Sequence, residues 1–476
     1  MPTVPILTLA GGETTLDGET LDALSGAMDG ELLTPDHPDY EEERTVWNAM
    51  IDRLPALIAR CRSADDVAKA IRLARDERLL VSVKGAGHNI AGNAVCDGGL
   101  MISLSHMREV EVDPGSRIAR VEPGATLADV DAATQQHGLA TPVGINSTTG
   151  IAGLTLGGGF GWLTREHGMT IDNLVGADVV LLSGERVRAS EEENTDLFWA
   201  IRGGGGNFGI VTRFDFRLHP VGPEVLAGLI VHPFDSARPV LEYYREFVAG
   251  LPDETTVWVV MRKAPPLPFL PEDWHGREVV VLAAFHAGDP EEGERILAPI
   301  MEFGDPIAVA VGVQPYTAWQ QAFDPLLTPG ARNYWKSHDL AEVGDGLIDD
   351  IVDAVNRVPT PMCEVLLVQM GGEAGRVAAD ATAYPHRSTR FILNTHTRWE
   401  SQDQDAECIA WARNLFEAAA RHATGGVYVN FMPEDEGDRV AQAYGGNHDR
   451  LVEIKRRYDP ENVLRMNQNI RPTVSA

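Results

Sequence analysis

Apolar and polar positions change their period repeatedly along the chain, and each change marks an element. Tyr40 to Leu54 reads as a helix that Pro55 ends. Ser63 caps the next helix, in which Val67, Ile71 and Leu73–Ala74 repeat at helical spacing through Arg75. Leu79 to Val83 reads as a short buried strand. It runs into the loop Lys84-Gly85-Ala86-Gly87-His88-Asn89, an α/β beginning. Val110 and Val112, the turn Asp113–Ser116 and Ile118–Val121 predict a hairpin. Thr126 caps a helix to about Gln136, and a second hairpin joins Ala177–Leu182 to Arg186–Ala189. Phe208 to Leu218 alternates almost perfectly, and His219-Pro220 closes this region. The first forty residues are weakly patterned. Gly144 to Gly161 shows neither a helical nor a strand period.

Residues 221 to about 424 have a different texture. Strand-like runs occupy Val257–Arg262, Val279–Phe285, Val365–Met370 and Phe391–Thr397, with helices near 236–249, 290–303, 345–357 and 404–422. The first two strands flank a proline-rich stretch, Ala264-Pro265-Pro266-Leu267-Pro268. This middle region reads as α+β, and the last fifty residues return to short motif-like segments.

Composition narrows the class. The chain has 476 residues, 44% hydrophobic and 23% charged, which is globular and long enough for two domains. Acidic residues outnumber basic ones 70 to 40, a formal charge of −30 that repels phosphate and excludes nucleic acid or an anionic membrane as partner. Cys61, Cys96, Cys363 and Cys408 are scattered, so neither a disulfide framework nor a metal site is indicated. No apolar run is long enough to span a bilayer and the start lacks the basic residues of a signal peptide, so a cytoplasmic protein is expected.

Gly204-x-Gly206-x-x-Gly209 matches a dinucleotide fingerprint, but Ile210-Val211-Thr212 behind it reads as strand. The helix amino terminus that the fingerprint needs is missing. The loop Lys84 to Asn93 is more informative, because two glycines beside a positive charge can turn backbone amides toward a phosphate. A second glycine cluster, Gly150 to Gly161, lies some sixty residues on, and together the two suggest walls of one large polyphosphate ligand.

Lys84-Gly-Ala-Gly-His88-Asn-Ile-Ala-Gly resembles the R-G-G-G-H-S-x-A-G segment of the vanillyl-alcohol-oxidase flavoproteins, in particular the berberine-bridge-enzyme and 6-hydroxy-D-nicotine-oxidase group. Gly153–Gly161, Glu193–Gly203, Gly206–Val211, Tyr444-Gly-Gly-Asn and Lys455–Ile470 follow in family order. Bacterial biosynthetic oxidases that rearrange polyketides, such as the favorskiase of enterocin assembly, look most similar among its members. The resemblance implies FAD, linked through His88 to the flavin 8α-methyl. Many relatives add a cysteine tether four residues before the glycine matching Gly150; Asn146 stands there, which implies a single covalent link. Lys84 replaces the loop arginine and keeps a charge near pyrophosphate. Gly85, Ala86, Gly87 and Asn89 complete the first loop, while Gly150, Gly153, Leu154, Gly157, Gly158 and Gly159 bring backbone against the cofactor. Thr149 falls where oxygen access is controlled, Val211 where adenine is met, and Asn467 and Asn469 in the segment closing over the flavin.

Tyr428, in Tyr428-Val-Asn430, matches the family's Y-x-N segment, whose tyrosine serves as base in several oxidases. Alternation over 363–370 puts Glu364, Leu366, Val368 and Met370 on one face and Gln369 on the other, so either Glu364 or Gln369 reaches the substrate. His386-Arg387 reads as structural. The implied fold is an α+β, two-domain PCMH-type FAD-binding fold, with an FAD domain of residues 1–220 and 425–476. Residues 221–424 form an inserted substrate domain, an antiparallel sheet covered by helices. The implied activity is hydride transfer from a C–H beside O–H or N–H of a small organic substrate to flavin N5, with O2 as acceptor and H2O2 as product. The alternatives are a dehydrogenase using another acceptor, and a flavin-binding protein without turnover.

Overall fold

Seven antiparallel strands build the sheet that dominates the middle of the computed structural model, which describes residues 1–472. Their spatial order is Ala308–Pro315, Glu224–Pro233, Glu278–His286, Thr255–Lys263, Glu364–Gln369, Phe391–Trp399 and Arg332–Leu340. One face packs against the helices Ala237–Phe247, Pro290–Met301, Asp345–Val355 and Asp405–Ala419 through a core that includes Leu241, Val259, Leu297, Ile351, Leu367 and Leu415. The four helices and four of the strands lie where the hydrophobic period puts them. The other three strands, at 224–233, 308–315 and 332–340, carry too little alternation to be read as such.

The remaining chain forms two smaller sheets. Leu57–Arg60 and Val81–Lys84 flank Leu100–Ser103 in parallel, with Glu31–Leu33 antiparallel at the edge. The helix Ala64–Asp76 connects them, its amino end capped by Ser63, whose hydroxyl accepts from the Asp66 amide at 3.3 Å. Five antiparallel strands contain both expected hairpins and Ile210–Arg217 at their centre. Thr126 and Asp129 form a reciprocal capping box on the helix Leu127–Gln135.

Three expectations are corrected. The weakly patterned amino terminus folds into a hairpin, Val4–Leu7 with Glu13–Leu16, and a helix Gly18–Ala27 capped by Asp17. The helix expected over Tyr40–Leu54 stops at Arg44. Beyond it the chain is recruited by the large sheet: the Asn48 carboxamide exchanges hydrogen bonds with the Asn333 backbone at 3.0 and 2.9 Å, and the Ala49 amide donates to the Ala331 carbonyl at 3.0 Å. Tertiary hydrogen bonds outweigh the helical period there. Finally, Gly144–Gly161 contains a short helix, Ile151–Leu156, whose Leu156 carbonyl accepts from the Gly205 amide at 2.9 Å.

The carboxyl-terminal segment is pinned by a buried ion pair. Lys455 and Asp459 are fully buried and 2.6 Å apart, and the same ammonium donates to the Asn207 and Leu464 carbonyls at 2.8 and 3.1 Å. A buried pair tolerates desolvation only when its remaining donors are satisfied, as they are here. The Asn207 carboxamide also accepts from the Ile470 amide, so residues 455–470 are fastened to the loop around Gly206.

Candidate active site

The glycine loops, the carboxyl-terminal segment and the bare face of the seven-stranded sheet enclose one cavity of about 360 Å³. This is within the range of cofactor and small-molecule sites. Its walls differ in chemistry. One wall is backbone: Gly85, Gly87, Gly150, Gly153, Gly157 and Gly206 all face the cavity. A Cβ built on Gly150 would lie 2.9 Å from the Ala86 Cβ and 3.0 Å from its amide nitrogen, so the two loops touch only because this position has no side chain. A Cβ on Gly153 would meet nothing within 4 Å, so here the bare backbone borders open space.

His88 stands beside this wall. Its ring stacks on Trp47 with centroids 5.0 Å apart, and Nε2 lies 3.1 Å from the Thr148 hydroxyl. Trp47 is itself tethered by its indole N–H to the Leu327 carbonyl at 2.8 Å. The imidazole is partly open, but the space it meets is the cavity, and burial lowers its pKa to about 4. It is therefore neutral at pH 7 with a nitrogen lone pair available.

Tyr428 is buried, and its hydroxyl accepts from the Gly159 amide and the Asn430 carboxamide, both at 3.0 Å. With both lone pairs engaged, the hydroxyl hydrogen is left to point elsewhere. Burial raises its pKa to about 12, against the two donors, which favour the phenolate. Asn430 is fixed by a further bond to the Leu154 carbonyl.

The wall formed by the sheet is side chain, and it is joined to His88 through the ring contacts of Trp47 with Trp335 at 5.7 Å and of Trp335 with His396 at 4.5 Å. Arg262, Glu364 and His396 sit directly across from one another on three neighbouring strands. Arg262 Nη1 donates to Glu364 Oε2 at 2.6 Å, and Glu364 Oε1 lies 2.9 Å from His396 Nδ1. Burial opposes ionisation of Glu364, but Arg262 and His396 prevail and hold it below the usual carboxylate range.

Of the residues singled out in the sequence, the structure brings His88, Gly85, Ala86, Gly87, Asn89, Thr149, Gly150, Gly153, Leu154, Gly157, Val211, Asn430, Asn467, Tyr428 and Glu364 to the cavity. Lys84 turns away: it is buried and donates to the Glu43 carbonyl, 3.8 Å from the Glu43 carboxylate. Gly158 and Gly159, with φ of +130° and +75°, lie behind the wall, where Gly159 supports Tyr428. Asn469 also lies outside the lining. Gln369 is on the helix-covered face, bonded to the Val257 amide at 2.9 Å and the Val248 carbonyl at 3.3 Å. Of Glu364 and Gln369, only Glu364 meets the cavity.

The sequence reading missed Arg262, His396 and the tryptophans Trp47, Trp258 and Trp335. Asn394-Thr395-His396-Thr397-Arg398 is an unbroken polar run, so no alternation marks His396 in the sequence.

The backbone cradle, the two loops in contact and the neutral imidazole fit FAD, and comparison with known proteins agrees. A family model described as FAD binding domain matches residues 55–190, and one described as berberine and berberine like matches residues 427–471. An FAD-linked oxidoreductase of Dictyostelium discoideum is 32% identical over 460 residues, covering 94% of this chain and 95% of the relative. A carbohydrate oxidase of Microdochium nivale is 28% identical, covering 98% of each chain. The crystal structure of 6-hydroxy-D-nicotine oxidase from Arthrobacter nicotinovorans superposes with a TM-score of 0.84 at 28% identity, over 94% of this chain and 98% of that one. These relatives lend no support to a special likeness to polyketide-rearranging oxidases. They share the two-domain, PCMH-type arrangement with its antiparallel sheet domain. The chain belongs to the berberine-bridge-enzyme-like group of vanillyl-alcohol-oxidase flavoproteins and is an FAD-dependent oxidoreductase.

Proposed function

We propose that this enzyme is an oxidase that removes hydride from a carbon bearing O–H or N–H in a small organic substrate and passes the electrons to dioxygen, giving hydrogen peroxide. The carrying observation is a single cavity with a glycine-backbone wall around a neutral histidine and ionisable side chains on the sheet face that forms another wall. FAD, when bound, would supply the two-electron acceptor in this cavity. His88 is the one point of covalent attachment, since an unprotonated imidazole can act as nucleophile and Asn146 offers no thiol for a second tether. Gly85, Gly87, Gly150, Gly153 and Gly206 admit the cofactor's polar groups to backbone, and Val211 and Asn467 line the same cavity. Tyr428 meets the substrate heteroatom with its free O–H and orients it; Gly159 and Asn430 hold the oxygen in place.

Anaerobic mixing of the holoenzyme with alcohols, sugars and amines, followed by aeration, tests this reading. Bleaching of the flavin by a substrate, then rapid recovery with one peroxide per turnover, is the expected result. Slow recovery marks a dehydrogenase that uses another carrier, and no bleaching across the panel marks a protein without turnover.

A further inference from the structure

The row Arg262–Glu364–His396 has a feature that hydride removal alone does not use. His396 Nε2 is buried and has no hydrogen-bond partner, while the residue is only 5% exposed and lines the cavity. A carboxylate on Nδ1 fixes the tautomer with hydrogen on that nitrogen, leaving Nε2 as a bare lone pair. Arg262 anchors the carboxylate from the other side, and also donates to the Pro361 carbonyl at 3.1 Å. Trp335 packs edge-on against the imidazole with centroids 4.5 Å apart and bars rotation of the ring. The result is an oriented base with its orienter, the arrangement that proton abstraction needs.

The surroundings decide what that base meets. Among the described lining residues the only formally charged side chains are Arg262 and Glu364, and they neutralise each other. The site therefore offers no net charge to recruit an ammonium or a carboxylate. Beside it the same sheet face carries Asn394, whose Oδ1 also lacks a partner, and around the two it is apolar, with Leu229, Val260, Val281, Leu366, Val368 and Trp258. A sugar would leave the hydroxyls beyond this pair facing hydrocarbon, each costing about 1–3 kcal/mol when unpaired. An alcohol with one or two polar groups on an apolar body leaves none.

We propose that His396, oriented by Glu364, accepts the hydroxyl proton of a neutral, largely apolar alcohol, the substrate class for which this sheet face is built. The inference rests on the oxidase reading above. In the step, the O–H bond breaks and its proton goes to Nε2. The adjacent C–H bond breaks with its electron pair leaving as hydride to the enzyme's FAD, and the C–O bond becomes C=O. Glu364 stabilises the imidazolium that forms.

The test uses holoenzyme with four probes, 1-phenylethanol, 2-octanol, glucose and benzylamine, mixed anaerobically, and acetophenone as a non-reacting product ligand. The two apolar alcohols are expected to bleach the flavin with kcat/KM at least about 10²-fold above glucose and benzylamine. H396A is expected to lower kcat about 10²-fold, with partial rescue by added imidazole. Its acetophenone dissociation constant, read from the change in tryptophan fluorescence, is expected to stay within about twofold of wild type. E364Q is expected to lower kcat while ¹⁵N shifts of the His396 ring move away from a single Nδ1–H tautomer. H396N, closer in size, gives the same kcat loss if H396A fails to fold. Preference for glucose or benzylamine, or full turnover by both His396 variants, overturns this inference and leaves the oxidase reading standing. A flavin that no probe bleaches overturns that reading and this inference with it.

Discussion

Two walls of the cavity are made of different materials. Around His88 the wall is main chain from short loops, and a methyl group added at Gly150 has nowhere to go. Around His396 the wall is side chains standing on strands that are remote in sequence: Arg262, Glu364 and His396 meet only because the sheet sets their register. Backbone walls fix where a common ligand sits, whereas side-chain walls on a rigid sheet can be exchanged without disturbing it. The first wall therefore fixes where a ligand's backbone contacts fall, and the second sets which side chains the cavity presents.

That division can be attacked from either wall. The largest effect is expected from Gly150→Val, which drives the second glycine loop off Ala86. Overpacking of this kind costs about 1–3 kcal/mol, so the flavin-to-protein ratio, read from absorbance, falls about tenfold or more while the sheet domain's far-ultraviolet signal stays. Next is Tyr428→Phe, which removes the one hydroxyl held by Gly159 and Asn430. Steady-state kinetics are expected to show kcat down about 10²-fold with flavin content unchanged.

A smaller effect separates the two faces of one strand. Gln369→Leu removes bonds to Val257 and Val248 on the helix-covered face, and is expected to cost about 1–3 kcal/mol in denaturant melts while turnover per flavin stays within about twofold. Loss of turnover without loss of stability would place Gln369 in the chemistry and break the distinction.

The last is a pH effect on a residue outside the cavity lining. Burial holds His338 neutral to about pH 4 in the folded protein, against about 6.5 in the unfolded chain. As pH falls through that window the unfolded chain takes up the proton first, so the stability present above pH 6.5 declines toward pH 4. His338→Gln can keep a donor for the Phe416 carbonyl without the titration, and its melting temperature is expected to fall less than wild type's between pH 7 and 4.5.

The contrast also explains what the amino-acid sequence discloses. Gly85, Gly87, Gly150 and Gly153 are legible because a backbone surface leaves no choice of residue and keeps its spacing within one loop. The hairpins and the four covering helices are legible because their apolar periods are local. Glu364 could be placed on a face by alternation, but the inward face could not be chosen until its neighbours were known. His396 and Arg262 were hidden for the same reason, since each is an ordinary polar residue until cross-strand pairing puts it beside the other two. Lys84 misleads in the opposite direction. Its place in the loop suggests a phosphate partner, while the fold gives its ammonium to Glu43. Trp47 and Asn48 sit in a segment whose helical period is real, and which the large sheet overrides.

The central claim is that the cavity holds FAD on His88 alone. Acid precipitation of the yellow holoenzyme, followed by peptide mass analysis of the pellet, tests it most directly. The account predicts colour in the pellet and one FAD mass, on the peptide containing His88, with His88→Ala releasing all colour to the supernatant. Colour released entirely from the wild-type protein, or FAD mass on any other residue, would contradict it.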